Sequence, residues 1–422
     1  MDMSFGKRVL FWVGTWFGRL TNTGRFILSA EMGAPFVSNL RLEWMRWFRE
    51  SKDERPVVVQ LLGDIDDLVS DEDNKDLRAA ATSSFYWLRV RGTGHADIVN
   101  FRDLSGKSAD YPGLGIYRRW KFLLAATGTV PMLSAASEEQ VFTTDKLTTD
   151  VVFVLHGIRD LGKWSASFER DMRLRFAASN SSGKLTIVSP RYGYFSMGSF
   201  VFQPNREKYV RWLMDQYTET LARYPNVRHI EFFAHSNGTY LLASALTQYH
   251  AMRVERIAFA GSVVRRQFPW GDVFARQQAL RVRNYLAHDD AVVGMFPRFF
   301  ELFGIRLLHN DVGSAGFNGF DYEDSRLENV RIAGGHSAFQ AFVPEISQFL
   351  LAGGATTVPT AVQSAPEPAI GWISRCGILV LWAVLVFVVV FPAVRVAMAS
   401  GEYAWIPVSL YLLVVFTVLK RL

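Results

Sequence analysis

The stretch of sequence that decides the expected fold is HIEFFAHSNGTYLLASAL, residues 229–246. Its first part is rich in apolar and aromatic residues and predicts a buried strand at 229–233, and the part after Gly238 predicts a helix. Between them, small residues stand two positions before and two positions after Ser236. This order is typical of a nucleophile elbow, which points the serine hydroxyl away from the sheet. We therefore predict Ser236 as a nucleophile and the backbone N–H of Asn237 as an oxyanion donor.

On both sides of this stretch, short β-branched runs alternate with longer amphipathic runs, as in a parallel sheet flanked by helices. The predicted strands are 151–155, 185–189, 229–233, 256–260, 282–287 and 329–333. A helix is predicted over 207–222, because apolar residues recur there at helical spacing. The expected fold is therefore a doubly wound, mainly parallel α/β sheet, whose chemistry lies at the carboxyl ends of the strands.

Three more of the predicted strands end in residues that suit a hydrolytic site. The strand at 151–155 runs into His156, Gly157 and Ile158, where the glycine lets the backbone approach a substrate and the Ile158 N–H is a second oxyanion donor. A late strand is followed by Asp290 and the last one by His336. Asp290 precedes Ala-Val-Val, a spacing that suits the acid better than that of the aspartate before it.

Together, the elbow with Gly238, the His156-Gly157 loop, Asp290 and His336 resemble the α/β-hydrolase superfamily, and specifically its serine lipase and esterase-like members, over about residues 148–351. The resemblance implies a catalytic triad in which His336 takes the proton of Ser236 while Asp290 orients the imidazole. It implies neither a cofactor nor a metal ion.

An incomplete set of similar features occupies the first part of the chain, residues 1–135. Strands predicted at 56–62 and 86–90 are followed by Asp66 and His95, in patterns that resemble those after the two late strands of the complete set. No serine elbow precedes them. The segment is a domain without its front half, a degenerate half-domain, or a structural α/β segment in which short patterns recur by chance. We expect the hydrolase domain itself at 136–351.

The C-terminal part of the chain changes in composition. Residues 352–372 have the Ala, Thr and Pro content of a flexible linker. Residues 373–422 contain two apolar runs, 376–394 and 403–419, the first of which matches the roughly 30 Å of bilayer hydrocarbon at about 1.5 Å per residue. We therefore predict a transmembrane helical hairpin. Positive residues at both outer ends place the catalytic domain in the cytoplasm, although a basic residue in the connecting turn weakens this orientation.

Charge and cysteine content exclude some partners. Lys and Arg number 46 against 40 Asp and Glu, which leaves a net charge of only +6 without a basic run. A nucleic-acid partner is therefore not expected. The single cysteine, Cys376, excludes an internal disulfide and a cysteine-based metal site.

The predicted function is that of a membrane-anchored serine hydrolase that cleaves carboxylic ester or thioester bonds, with a small-molecule or lipid acyl substrate. Aromatic residues such as those at 268–270 are candidates for an acyl pocket. The alternative is a catalytically silent hydrolase-fold scaffold at a membrane. A relationship to haloperoxidases, dehalogenases or epoxide hydrolases is a third option, but serine at position 236 argues against the latter two, which use a carboxylate nucleophile.

Overall fold

The computed structural model divides the chain into two compact units. The first unit comprises Met1–Lys146 and Asp215–Pro225, and the second comprises Leu147–Met214 and Asn226–Leu422. The structure describes residues 33–50, 57–65, 85–94, 97–101, 114–137, 144–157, 164–179, 183–190, 203–287, 289–294, 297, 312–352, 387, 390–400 and 405–421. The sequence-based domain limits at 135, 351 and 372 stay predictions.

The first unit is built around two parallel strands with helices on both faces. Its elements are α1 (Pro35–Glu50), β1 (Val58–Gly63), β2 (Phe85–Val90), α2 (Leu114–Thr127) and α3 (Val130–Ala136). Both strands predicted from the upstream sequence are present, and they pair in parallel. Side chains alternate across β2: Tyr86 and Leu88 pack with Leu124 of α2, whereas the Phe85 ring lies 5.8 Å from that of Phe48 in α1.

The second unit contains the sheet predicted around Ser236. Its elements are β3 (Thr148–Leu155), α4 (Ser165–Ala178), β4 (Lys184–Val188), α5 (Gln203–Arg223), β5 (His229–His235), α6 (Asn237–Gln248), β6 (Val254–Ala260), α7 (Trp270–Ala275), β7 (Ala279–Ala287), α8 (Ala315–Asn318), β8 (Leu327–Ile332), a 3₁₀ helix (Ala338–Phe342) and α9 (Val343–Ala352). All six predicted strands and the long helix predicted over 207–222 are confirmed. The last turns of α5 belong to the first unit.

The six strands form one sheet in the order β4-β3-β5-β6-β7-β8, and every neighbouring pair is parallel. The carboxyl-terminal halves of β3, β5 and β6 are fully buried, which explains their continuous apolar runs. This mainly parallel α/β sheet with flanking helices is consistent with a hydrolase-like fold. Because all strands point the same way, the residues that follow them gather at one edge.

The described residues do not contain the predicted transmembrane hairpin. The structure has two C-terminal helices, α10 (Phe391–Ser400) and α11 (Trp405–Arg421), which at 1.5 Å per residue are about 15 and 26 Å long. Among the residues that are described, no helix combines the length and the apolar character needed to cross a bilayer. Most of the predicted span 376–394 lies outside the described residues.

Candidate active site

Ser236 occupies a strained turn between β5 and α6. Its backbone has φ 54° and ψ −123°, a region that residues with a side chain rarely adopt. The helix begins at the next residue, Asn237. The turn is held in place by a hydrogen bond from Ser236 N to Ala260 O (3.0 Å) and another from Thr239 N to Ser236 O (3.0 Å). The backbone conformation is thus the one that an elbow requires, and Asn237 lies at the amino end of a helix.

Small residues around Ser236 are required by close backbone packing. A Cβ atom added to Gly238 would lie 2.7 Å from the carbonyl oxygen of Leu155. A Cβ added to Gly157 would lie 2.8 Å from the Cβ of Ser236 and 3.2 Å from its Oγ. The loop after β3 therefore passes directly beside the serine hydroxyl, and an Nδ1 contact of His156 with Gly157 O (2.9 Å) ties this loop together. Ile158 lies outside the described residues, so its role as a second oxyanion donor stays a prediction.

Asp290 and His336 meet at the same edge of the sheet. The Nδ1–H of His336 donates a hydrogen bond of 2.8 Å to Asp290 Oδ2, and the other carboxylate oxygen accepts one of 2.9 Å from Val293 N. Asp290 is completely buried, whereas the His336 side chain is partly exposed. Since a carboxylate only accepts hydrogen bonds, Nδ1 carries the proton and Nε2 is left for a second partner.

Gly261, which the sequence analysis did not identify, separates β6 from this pair. It has φ 53°, and an added Cβ would lie 2.9 Å from Nδ1 and Cε1 of His336 and 3.4 Å from Asp290 Oδ2. The preceding residue, Ala260, accepts the hydrogen bond from Ser236 N. The end of β6 therefore contacts both the serine turn and the Asp–His pair. The only sequence signal for Gly261 is its position directly after a predicted strand, which does not distinguish it from other glycines that follow strands.

His235 is a second residue that the sequence analysis missed. Its Nε2–H donates to the backbone oxygen of His336 at 3.1 Å, and the two imidazole centroids are 4.7 Å apart. The ring is buried and also lies 4.5 Å from Phe339. His235 therefore packs against the loop that carries His336, while the next residue in the chain is the serine itself.

Ser236 and His336 lie beside different glycines at this edge, and no hydrogen bond joins their side chains in the described structure. Among the hydrogen bonds of the described residues, none joins Ser236 Oγ to the His336 imidazole, although Gly157 and Gly261 bring the chain within van der Waals distance of each. Serine–histidine contacts often shorten only when a substrate binds. Ser236, Asp290 and His336 thus lie at one edge of the sheet. The hydrogen bond between Asp290 and the His336 imidazole is already formed.

A cavity of about 600 Å³ lies between α6 and the loop after β6. Tyr240, Val264, Phe268 and Pro269 contribute to its wall. Trp270, which was expected to line a pocket with its two neighbours, is instead fully buried, with its ring 5.7 Å from that of Phe274 in the core. The cavity volume of about 600 Å³ is in the range of small-molecule sites.

One group of possible metal ligands lies among the described residues, at the amino ends of β5 and β6. The ligand atoms of His229, Glu231 and Glu255 are all within 4.8 Å of one another. They are already paired, however: Arg256 Nη1 lies 3.0 Å from Glu231 Oε1, and His229 Nδ1 lies 2.9 Å from Glu255 Oε1. Burial raises the pKa of Glu231 well above its usual range, although Arg256 opposes this shift. We interpret the group as an ion-pair network at the edge opposite Ser236.

No protein-family model matches the chain, and a search of curated proteins finds no similar sequence. Among solved structures, the chain is similar to a poly(3-hydroxybutyrate) depolymerase from Bordetella parapertussis. The two are 17% identical, the match covers 51% of this chain and 82% of that one, and the TM-score is 0.29. A similarity this low carries no functional weight. The hydrolase-like character of the fold therefore rests on the sheet order and on the turn at Ser236.

Proposed function

We propose that this protein is a serine hydrolase that cleaves carboxylic ester or thioester bonds of lipid-like acyl substrates. The observation that carries the proposal is the meeting, at one sheet edge, of a serine in a strained turn with an Asp290–His336 hydrogen bond of 2.8 Å. Strained backbone at a polar residue is typical of functional sites. Because Gln277, in the turn before β7, also has φ 54°, the strain at Ser236 supports the proposal only together with the Asp290–His336 hydrogen bond.

In the proposed reaction, Ser236 Oγ attacks the acyl carbon while His336 Nε2 takes the hydroxyl proton. The same proton then passes to the leaving alcohol or thiol. In the second step, water gives a proton to His336 and attacks the acyl carbon, and the carboxylic acid leaves as Ser236 regains its proton. Asp290 keeps the Nδ1 proton in place and stabilises the imidazolium that forms. Because Asp290 is fully buried and both of its oxygens accept hydrogen bonds, its orientation toward His336 is well defined.

The oxyanion of the tetrahedral intermediate would be stabilised by the Asn237 N–H at the start of α6. The proposed second donor is the N–H of Ile158, which follows the Gly157 contact with Ser236. A glycine at 157 is consistent with this role, since any side chain there would collide with the nucleophile.

The preference for an extended acyl substrate is supported by the position of the cavity. Tyr240, Ser244 and Thr247 line it, and they follow Ser236 at steps of three or four residues along α6. Residues at this spacing lie on one helix face. The cavity therefore lies along the face of α6 that continues from the serine, but neither Ser236 nor His336 lines it, and the acyl chain of the proposed substrate would have to extend along α6 to reach it.

Lipid contact through the C-terminal helices is part of the proposal. Large apolar side chains of α10 and α11 are exposed, among them Met398, Trp405 and Leu410. Exposed apolar groups at this density favour contact with acyl chains over contact with water. The cytoplasmic location of the catalytic unit stays a prediction.

The test is covalent labelling of the full chain by a fluorophosphonate probe, with Ser236→Ala as the variant and Ser347→Ala, a buried serine on α9, as the matched control. We expect labelling of the wild type and of Ser347→Ala, and none of Ser236→Ala. Equal labelling of all three would remove Ser236 as the nucleophile, and no labelling of the wild type would favour the silent scaffold. With p-nitrophenyl and acyl-thioester series, rates that do not rise with acyl length would contradict the lipid-like substrate.

A further inference from the structure

Thr239, in the first turn of α6, bonds to the backbone carbonyl of Ser236. Its side chain is completely buried, and its hydroxyl donates a hydrogen bond of 2.6 Å to Ser236 O. The backbone N–H of Thr239 donates to the same oxygen at 3.0 Å. A threonine hydroxyl commonly bonds to a carbonyl three or four residues earlier, so this contact is not unusual by itself. Two donors on one oxygen do, however, fix the direction of the Ser236 carbonyl.

The Thr239 hydroxyl is also bonded to a distant part of the chain. Val263 N donates to Thr239 Oγ1 at 3.1 Å, and the two residues are 24 positions apart in the sequence. Because a backbone N–H only donates and a carbonyl oxygen only accepts, the hydroxyl proton has to point toward Ser236 O. A methyl group in place of the hydroxyl could bond to neither partner.

Val263 lies in a segment that is fixed on its other side. Residues 262–264 accept three backbone hydrogen bonds of 2.8–3.0 Å, which are donated by Gly313, Ala315 and Gly316. The side chain of Val263 is buried as well. The position of the Thr239 hydroxyl is therefore determined by contacts outside α6 and not only by the helix that carries it.

The direction of the Ser236 carbonyl sets the direction of the Asn237 N–H. The peptide bond between these two residues is trans. A trans peptide is planar, so its N–H points opposite to its C=O. Donors of an oxyanion hole are effective because they are oriented before the reaction begins. By holding the carbonyl, Thr239 therefore holds the N–H that the proposed function assigns to the oxyanion.

We propose that Thr239 is a positioning residue whose hydroxyl orients the Asn237 N–H toward the oxyanion. This inference rests on the proposed function and adds to it a residue that does not contact the substrate. Without the hydroxyl, the oxyanion of the transition state is stabilised less, whereas the ground-state substrate is bound as before. The loss therefore falls on kcat and not on KM.

The experiment compares Thr239→Val, which keeps the shape of the side chain without its hydroxyl, with Thr239→Ser, which keeps the hydroxyl. Thr239→Ala is a second variant without the hydroxyl, for use if valine prevents folding. Thr218→Val on α5 is the matched control. The buried Thr218 hydroxyl likewise donates to a carbonyl three residues earlier, Asp215 O at 3.0 Å, and accepts a hydrogen bond from Arg41.

Three quantities are measured on the full chain. The fluorophosphonate probe, reacted to completion, gives the number of active sites, and kcat and KM for an ester are expressed per titrated site. The third quantity is the affinity for an alkyl trifluoromethyl ketone, whose adduct with a serine hydroxyl carries an oxyanion.

We expect Thr239→Val to lower kcat about thirtyfold with KM unchanged, which is less than the roughly hundredfold or greater loss when an oxyanion donor is removed outright. Its affinity for the trifluoromethyl ketone should fall by a similar factor. Thr239→Ser and Thr218→Val should keep most of the wild-type kcat.

An unchanged kcat per titrated site in Thr239→Val, even with fewer sites, would mean that Thr239 only stabilises the fold and would overturn the proposal. An equal loss of kcat in Thr239→Ser or in Thr218→Val would also overturn it. If the wild type itself does not react with the probe, the proposed function fails and this inference fails with it.

Discussion

The strand pairs β1–β2 and β7–β8 have similar sequence patterns but different ends. After β7 and β8, Asp290 and His336 form a hydrogen bond beside Ser236. After β1 and β2, the described residues bond to each other: Thr93 N donates to Asp64 Oδ1 at 3.2 Å, and Ile65 N donates to Thr93 O at 3.2 Å. The β7–β8 pair therefore ends in the proposed acid–histidine arrangement, whereas the β1–β2 pair ends in a turn closed by its own hydrogen bonds.

Arg118 of α2 is a further difference between the two strand pairs. Its guanidinium fills the space at the end of β2 through three hydrogen bonds. The two strands also form a sheet of their own among the described residues, without a neighbouring strand that ends in a serine turn. Asp66 and His95, the acid and the histidine predicted after these two strands, lie outside the described residues, so their arrangement stays a prediction.

Replacing the acid is expected to have the largest effect. Asp290→Asn should lower kcat for an ester substrate by about 10⁴-fold, because the amide no longer holds His336 in the required tautomer. Asp64→Asn is the matched variant in the other pair. Its side-chain oxygen still accepts from Thr93, so kcat should not change. The measurement is steady-state ester hydrolysis. An equal loss of kcat in both variants would contradict the assignment of the site to the β7–β8 pair alone.

Substitutions at two glycines are expected to separate an effect on activity from an effect on stability. Gly261→Ala places a Cβ 2.9 Å from His336 at a residue with φ 53°, so we expect kcat to fall about a hundredfold. Gly63→Ala places a Cβ 2.3 Å from Thr93 O and should destabilise the β1–β2 turn while the labelling rate of Ser236 stays unchanged. Hydrogen exchange at residues 58–63 and probe labelling measure the two effects. Normal kcat in Gly261→Ala would remove this residue from the site.

Arg118→Met tests the closed end of the first pair. The substitution removes three hydrogen bonds from a buried charged donor and should lower the free energy of local opening at residues 85–94 by about 2 kcal/mol. Hydrogen exchange measures that free energy. Ser236 labelling serves as the control, and a loss of labelling would mean that the two strand pairs are functionally coupled.

The smallest effect is expected at His235. Leucine at this position keeps much of the packing but lacks the donor to His336 O, so kcat should fall about tenfold with KM unchanged. Glutamine can replace the Nε2 donor and should restore part of the rate. If His235→Gln is no better than His235→Leu, the residue contributes only packing.

The sequence allowed the sheet and the elbow to be predicted, because each depends on a local pattern. Alternating apolar runs defined the six strands, and small residues around Ser236 defined the turn. Asp290 could be preferred over its neighbour from spacing alone. Once the strands are parallel, their carboxyl ends must share an edge, which is why residues 100 positions apart could be assigned to one site.

What could not be predicted depends on contacts between distant residues. Gly261 looks like any glycine after a strand until its approach to His336 is known, and Arg118 looks like a surface residue until its three acceptors are known. The transmembrane hairpin was expected from composition. Most of its first apolar run, 376–394, lies outside the described residues, and the described helices α10 and α11 are 10 and 17 residues long.

The first unit is assembled from two separate stretches of chain, which has a practical consequence. Its second stretch, Asp215–Pro225, contains the last turns of α5, whose first turns belong to the other unit. Arg41 Nη1 donates to Thr218 Oγ1 at 3.2 Å, and Arg49 donates to Leu221 O at 2.7 Å, so both stretches are joined by specific bonds. One continuous helix, α5, therefore contributes residues to both units. Dividing the chain between residues 214 and 215 would interrupt this helix, so we expect that neither unit can be produced separately by a cut at that position.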